Sequence, residues 1–266
     1  MRSICSVFLL CLTLLSCGQK TSTPPTSVIY SANVKDSFEI YINAPQKIDN
    51  SNQLSVFYYM DANLKSGKKL RELISNPEFS GKVDKTIFVG IGHTGNFHVL
   101  RRRDFILPEI NNGDTAGASA NYGQTEKFYQ FLKTELMPMI DSTYKTRAGN
   151  NSILGHSLGG LFAFYCLFKN DTIFKNYYAL SPSLWVDNYS IYKFNRLAEK
   201  DPVNKYLYFS SGSLEIFNRI KAGTNEMDLF LQKQNYPGLS YKYEIHGGKT
   251  HNSQVENSLE FILKQN

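Results

Sequence analysis

The residues best able to do chemistry lie in Gly155-His156-Ser157-Leu158-Gly159. The pattern G-x-S-x-G puts a serine hydroxyl on a turn so sharp that only small residues clear the neighbouring chain. The chemistry this permits is nucleophilic attack on a carbonyl, provided a base takes the hydroxyl proton. The pentapeptide alone is a weak signal, because a glycine-rich turn with Ser157 as a cap has the same letters. Its context is stronger. Ser152-Ile153-Leu154 precedes it as a strand, and Leu158–Phe168 follows as a helix. A helix that begins at Leu158 leaves the Leu158 N–H free to face a developing oxyanion.

A serine nucleophile needs a base and an orienting acid, in the chain order serine, acid, histidine for this architecture. Of the five histidines, His93 and His98 precede the elbow, and the side chain of His156 should diverge from its neighbour Ser157. His246 ends the last expected strand. His251 follows Gly247-Gly248-Lys249-Thr250, in a loop that can reach across to the elbow, and is the favoured base. The favoured acid is Glu215, which comes after the strand Lys205–Ser210 and a glycine turn. Glu226 and Asp228 compete, but they fall in an expected helix; Asp201 lies before the strand, at its wrong end. A second oxyanion donor is expected from Asp61-Ala62-Asn63, with the Asn63 backbone N–H as the candidate.

These groups must be positioned by alternating strands and helices. Strands are expected at Ser37–Ile42, Leu54–Met60, Thr86–Ile91, Ser152–Leu154, Asn176–Leu180, Lys205–Ser210 and Ser240–Ile245. Helices are expected around Lys69–Ile74, Thr125–Ile140, Leu158–Phe168, Asn225–Gln234 and Ser253–Lys264. Such alternation predicts an α/β fold, with a mainly parallel sheet and helices on both faces. Two long irregular stretches, His93–Gly123 and Ser181–Asn204, should leave from strand ends where open α/β sheets bind ligands. The second carries the only tryptophan, Trp185, as a substrate contact in the pocket or a core aromatic under the loop. The first carries Arg101-Arg102-Arg103-Asp104. Arg102 is the candidate contact for an anionic substrate, against a solvated face with one arginine paired to Asp104.

With these residues the sequence resembles the putative-esterase (esterase D-like) family of α/β-hydrolases, most closely the branch of siderophore esterases. The likeness rests on Tyr59-Met60-Asp61-Ala62-Asn63, Arg101–Phe105, Gly155–Gly160, Ser181–Trp185, Gly212–Glu215 and His251, in that order along the chain. The resemblance implies Ser157 as nucleophile, His251 as base, Glu215 at the acid position, and oxyanion donors at Asn63 and Leu158. A siderophore trilactone or related oligoester is the implied substrate. A feruloyl or acetyl ester of polysaccharide, or a non-catalytic ligand-binding role, are the alternatives. Ala62 stands where many members have glycine, which predicts a tighter oxyanion loop. Ile106 replaces a common threonine and Val186 a frequent second tryptophan; these bear on substrate rather than reaction.

Three of the four cysteines, Cys5, Cys11 and Cys17, lie in the first seventeen residues. A basic start, a short apolar run and Leu14-Leu15-Ser16-Cys17 predict an export signal over 1–16. The same residues resemble the lipobox of bacterial lipoproteins, which implies lipid on Cys17, a tether over 17–28 and an esterase domain over 29–266. The expected location is the bacterial envelope, anchored by lipid and facing the periplasm. Only Cys166 would remain as a thiol, so no internal disulfide is expected. The net charge of +6 is scattered, without zinc-finger or RNA-binding spacing, which argues against a nucleic-acid partner. No metal-ligand spacing, P-loop or dinucleotide fingerprint occurs, so neither metal nor cofactor is expected. The expected partners are an ester substrate and the membrane.

Overall fold

The computed structural model describes residues 24–45, 53–108, 122–147, 149–198, 204–216 and 219–265. The expected signal segment, Cys17 and Asp201 lie outside these residues. In chain order the elements are β1 (Ser27–Ser31), β2 (Asp36–Asn43), β3 (Ser55–Met60), α1 (Lys65–Ile74), α2 (Ser80–Val83), β4 (Thr86–His93) and α3 (Phe97–Phe105). Next come α4 (Thr125–Phe131), α5 (Met137–Thr143), β5 (Ser152–His156), α6 (Leu158–Phe168) and β6 (Asn176–Leu180). The chain closes with β7 (Lys205–Gly212), α7 (Ile220–Gln234), β8 (Leu239–His246) and α8 (Gln254–Lys264).

Among the described residues one sheet of eight strands runs in the order β1-β2-β4-β3-β5-β6-β7-β8. All neighbours from β4 to β8 are parallel, and β2 is antiparallel to both β1 and β4. The order reverses between β3 and β5: the chain turns outward to β4 after one and to β6 after the other. Loops leaving these neighbouring strands diverge and open a crevice at their carboxyl ends.

The strands are apolar on both faces because helices cover both. On β3, Val56, Tyr58 and Met60 point into the larger core, and Phe57 and Tyr59 into the smaller. The smaller core is closed by Leu70, Leu73 and Ile74 of α1 and by Val255, Leu259 and Ile262 of α8. The larger is closed by α4 to α7 and is rich in aromatic rings. Helix α6 is buried on all sides from Gly159 to Phe168, which explains its unbroken apolar sequence.

Strand β1 and helix α2 were not expected, α7 begins at Ile220 rather than near Asn225, and three further elements differ. Helix α1 begins at Lys65, a turn before the apolar spacing marks it. The expected helix over Thr125–Ile140 is helical throughout, but a π segment at Leu132–Leu136 joins α4 to α5. The stretch His93–Gly123 is not wholly irregular: α3 forms within it, capped by the Asn96 side chain on the His98 N–H. Its arginine-rich face weakened the apolar signal.

Phe162 of α6 is fully buried, with ring centroids of Phe128 and Phe105 at 5.1 and 5.6 Å. Phe162→Ala is therefore expected to cost about 3–5 kcal/mol of stability, measured by urea denaturation. A loss below about 1 kcal/mol is expected only for an exposed ring.

Candidate active site

Five strand ends, those of β3, β5, β6, β7 and β8, meet at the crevice. Three of them are followed at once by a non-glycine residue with positive φ: Asp61 after β3 (58°), Ser157 after β5 (61°) and Ser181 after β6 (42°). Each such residue costs of order 1–3 kcal/mol and persists only where its surroundings fix it. Ser157 sits at φ 61° and ψ −117°, between β5 and the first turn of α6. Gly155 makes this turn possible, because a Cβ there would sit 2.0 Å from the Gly159 carbonyl oxygen. The Ser157 N–H donates to Leu180 of β6 at 2.9 Å, which ties the elbow to the neighbouring strand.

His251 and Glu215 come together from the loops after β8 and β7. His251 Nδ1 donates to Glu215 Oε2 at 2.7 Å. That leaves Nε2 as the ring nitrogen free to take a proton. The other carboxylate oxygen, Oε1, accepts from Ser181 Oγ and from the Gly212 N–H, both at 2.6 Å. Burial acts to raise the Glu215 carboxyl, but these hydrogen bonds outweigh it and hold the group below the ordinary carboxylate range. Glu215 is thus a buried, ionised acceptor with one oxygen fixed and one on the histidine. The loops that carry the pair are stitched together. The Leu214 N–H donates to the Lys249 carbonyl at 3.0 Å, and the Ser213 N–H to that of His246 at 2.9 Å. A Cβ at Gly212 would lie 2.2 Å from the Lys249 oxygen, so this crossing requires glycine.

Ser157, His156 and His251 line one cavity of about 830 Å³ together with Asp61, Leu64 and Arg101. Ser157 Oγ lies 3.3 Å from Ser183 Oγ, a long contact for two hydroxyls. No hydrogen bond joins Ser157 Oγ to His251 among the described residues; catalytic contacts are often loose without substrate. The N–H groups of Asn63 and Leu158 have no acceptor among the described residues. Between them and the crevice the backbone is held firmly. The Ala62 N–H donates to Ile91 at 3.0 Å, Arg71 donates to the Ala62 carbonyl, and Asn63 Nδ2 donates to the His93 carbonyl at 2.8 Å. Ala62 is fully buried, and α1 approaches it so closely that a Cβ at Gly67 would lie 2.4 Å from its Cα.

The arginine at this cavity is Arg101, not Arg102. Successive residues on a helix point about 100° apart. Arg101 turns inward and forms a fork with Asp61 at 2.7 and 2.9 Å, reaching the His156 carbonyl at 3.3 Å. Arg102 turns outward to the Tyr122 hydroxyl at 3.0 Å, on the surface. Arg103 pairs with Asp104 and Asp36, the structural pairing weighed for this run. Trp185 is not in the cavity lining and is not a core aromatic; it stands 38% exposed in the loop two residues beyond Ser183. Glu226 and Asp228 lie in α7, away from the cavity wall. His246 donates to Ser258 Oγ at 2.8 Å and is engaged there.

Two supporting residues were given no role by the sequence. Gln254 is fully buried; its amide donates to Ser181 Oγ at 2.9 Å, and its carbonyl accepts from Ser210 at 3.0 Å and Ser258 at 2.7 Å. His156 Nε2 donates to the His251 carbonyl at 2.9 Å and so pins the loop behind the ring. Burial, then the nearby His251, push the His156 pKa down to about 3. Among the described residues no three His, Cys, Asp or Glu side chains converge as metal ligands would.

Two outcomes follow from this geometry. Between pH 6.5 and about 3 the unfolded chain binds a proton at residue 156 that the folded chain excludes. Stability should therefore fall as pH drops through that window, by about 1.4 kcal/mol per pH unit from this group. His156→Gln keeps a donor but cannot titrate, and its denaturation midpoint should fall less steeply below pH 6.5; equal slopes would contradict a buried neutral His156. Arg101→Met strands the buried Asp61 and should cost about 3 kcal/mol, against under about 0.5 kcal/mol for Arg102→Met.

Comparison with known proteins gives the family and the fold. The Putative esterase family matches residues 31–254. Ferri-bacillibactin esterase BesA of Bacillus subtilis (strain 168) is 29% identical over 215 residues, spanning 75% of this chain and 73% of that protein. The crystal structure of BES protein from Bacillus cereus is similar with a TM-score of 0.75 at 26% identity, covering 89% of this chain and 93% of the other. An IroE-like serine hydrolase from Shewanella oneidensis gives a TM-score of 0.74 at 25% identity, covering 89% and 78%. The fold is that of the α/β-hydrolases. The chain belongs to the Putative esterase family, near its siderophore-esterase branch, and is an ester hydrolase.

Proposed function

We propose that the chain is a serine esterase that opens siderophore oligoesters through an acyl-enzyme. The observation that carries the mechanism is the 2.7 Å contact from His251 Nδ1 to a buried Glu215, in the cavity lined by the strained Ser157. In this reading His251 Nε2 takes the Ser157 proton as Oγ attacks the ester carbonyl. The carbonyl oxygen becomes an oxyanion and accepts from the Leu158 and Asn63 N–H groups. Glu215 stabilises the imidazolium without taking its proton. Collapse breaks the ester C–O bond, and His251 returns the proton to the departing alkoxide. Water then attacks the acyl-serine with His251 again as base, releasing acid and free Ser157.

Two features support a siderophore as substrate. The similar proteins include a ferri-bacillibactin esterase. The cavity of about 830 Å³ is also roomy for a small acyl ester, and Lys65, Lys68 and Lys249 on its wall favour an anionic ligand. We further propose that Cys17 carries lipid after cleavage of residues 1–16 and anchors the enzyme to a bacterial membrane, facing the periplasm. The Leu-Leu-Ser-Cys sequence at 14–17 supports this reading.

The test is hydrolysis of a siderophore trilactone beside p-nitrophenyl butyrate, for the wild type and Ser157→Ala. Mass spectrometry should find the trilactone opened by one water, with kcat lowered roughly a thousandfold or more in the variant. A fluorophosphonate should label Ser157 and nothing else. Retained activity in Ser157→Ala would remove the serine mechanism. A higher kcat/KM for feruloyl or acetyl esters than for the trilactone would replace the siderophore with polysaccharide esters.

A further inference from the structure

A second cavity, of about 630 Å³, lies at the amino ends of β3 to β7, on the face covered by α1 and α8. It is at the opposite end of the strands from Ser157 and His251. Phe57, Tyr178 and Tyr206 line its depth, and Lys82, Lys85 and Lys175 stand on its wall. No described lining residue is Asp or Glu. None of these three ammonium groups pairs with a carboxylate among the described residues. Burial pushes Lys82 down from its ordinary value, as expected of a partly desolvated cation with no counter-charge among the described residues.

The chain enters the domain toward this same end. The Thr26 N–H donates to Ile40 at 2.7 Å, and Pro24 lies beside Ile42, Asn43 and the end of α1 at Ser75. Asn43 pairs with Phe88, two residues from the start of β4. Seven residue steps separate Cys17 from Pro24, a reach of at most about 25 Å. Lipid on Cys17 would hold this end of the sheet near a bilayer.

We propose that this cavity is a membrane-facing site that takes the phosphate headgroup of an anionic phospholipid. The inference rests on the anchor reading of Cys17. The lysines supply attraction that acts within about 10 Å of a charged surface. Tyr206, half-buried at the cavity, supplies an amphipathic ring of the kind that settles at headgroup level. Engagement here turns the active cavity away from the lipid, open to substrate in the aqueous space. Part of the net positive charge thereby acquires a local role.

The experiment uses the chain starting at Gly18, which keeps every described residue. Its sedimentation is measured with vesicles of equal parts phosphatidylglycerol and phosphatidylcholine, and with phosphatidylcholine alone. Binding should need phosphatidylglycerol. K82Q/K85Q/K175Q should weaken it on the order of a hundredfold, with hydrolysis of p-nitrophenyl butyrate unchanged. K127Q/K193Q/K233Q removes equal charge from exposed sites elsewhere and should bind within about threefold of wild type. An equal loss in that control, or equal binding to both vesicles, overturns the proposal. So does tight, lysine-dependent binding of inorganic phosphate without vesicle binding, which would mark a site for small anions. Palmitate labelling of the full chain in cells, with Cys17→Ser beside it, tests the anchor separately. Labelling without lysine-dependent vesicle binding removes the headgroup site alone. Vesicle binding without labelling removes the anchor alone.

Discussion

The hydrogen bond from His251 Nδ1 to Glu215 Oε2 is the constraint on which the site depends. An imidazole can serve as a directed base only if one nitrogen is committed and the other left free. The committed nitrogen needs a carboxylate that is ionised although buried, and burial disfavours that form. The fold meets the requirement with two further donors on the same carboxylate, Ser181 Oγ and the Gly212 N–H. One is a side chain held at a positive φ at the end of β6; the other is the last backbone amide of β7. The parallel register of β6 with β7 brings both to the same carboxylate.

That arrangement extends into the core beneath it. Ser181 is itself fixed by Gln254, the first residue of α8, and Gln254 by Ser210 and Ser258. His246 closes the chain on Ser258. Buried polar groups of this kind stabilise a single arrangement only when every member is paired. The helix that shields the smaller core therefore also sets the acid. On the other side of the crevice, the Arg101–Asp61 fork performs a similar task, linking the end of β3 to the elbow through the His156 carbonyl.

Much of this was legible in order along the chain. The strand–turn–helix around Ser157 follows from local apolar runs and two glycines. The positions of Glu215 and His251 follow from their placement after the last strands. These signals are local, so periodicity and turn chemistry suffice to find them. The choice between Arg101 and Arg102 was not legible, because a rotation of one helical residue decides it and the run Arg101-Arg102-Arg103 reads alike in every register. Trp185 could be read as pocket or core, and it is neither, because its loop runs over the surface after Ser183 returns to the elbow. Gln254 had no signal at all, and the motifs around Ser181 and His156 gave neither residue a supporting role. A serine, a glutamine and a histidine beside the elbow acquire meaning only from partners 34, 73 and 95 residues away.

The sequence by itself determined the class of chemistry, the alternation of strands and helices, and the order in which the candidate site residues occur. It could do so because each depends on residues close together in the chain. The tertiary structure alone decided which charges line the crevice, which hydrogen bonds keep Glu215 ionised, and which end of the sheet carries lysines that have no carboxylate partner among the described residues. Those properties arise where distant segments converge, and there burial and partner geometry, rather than residue type, fix what a side chain does.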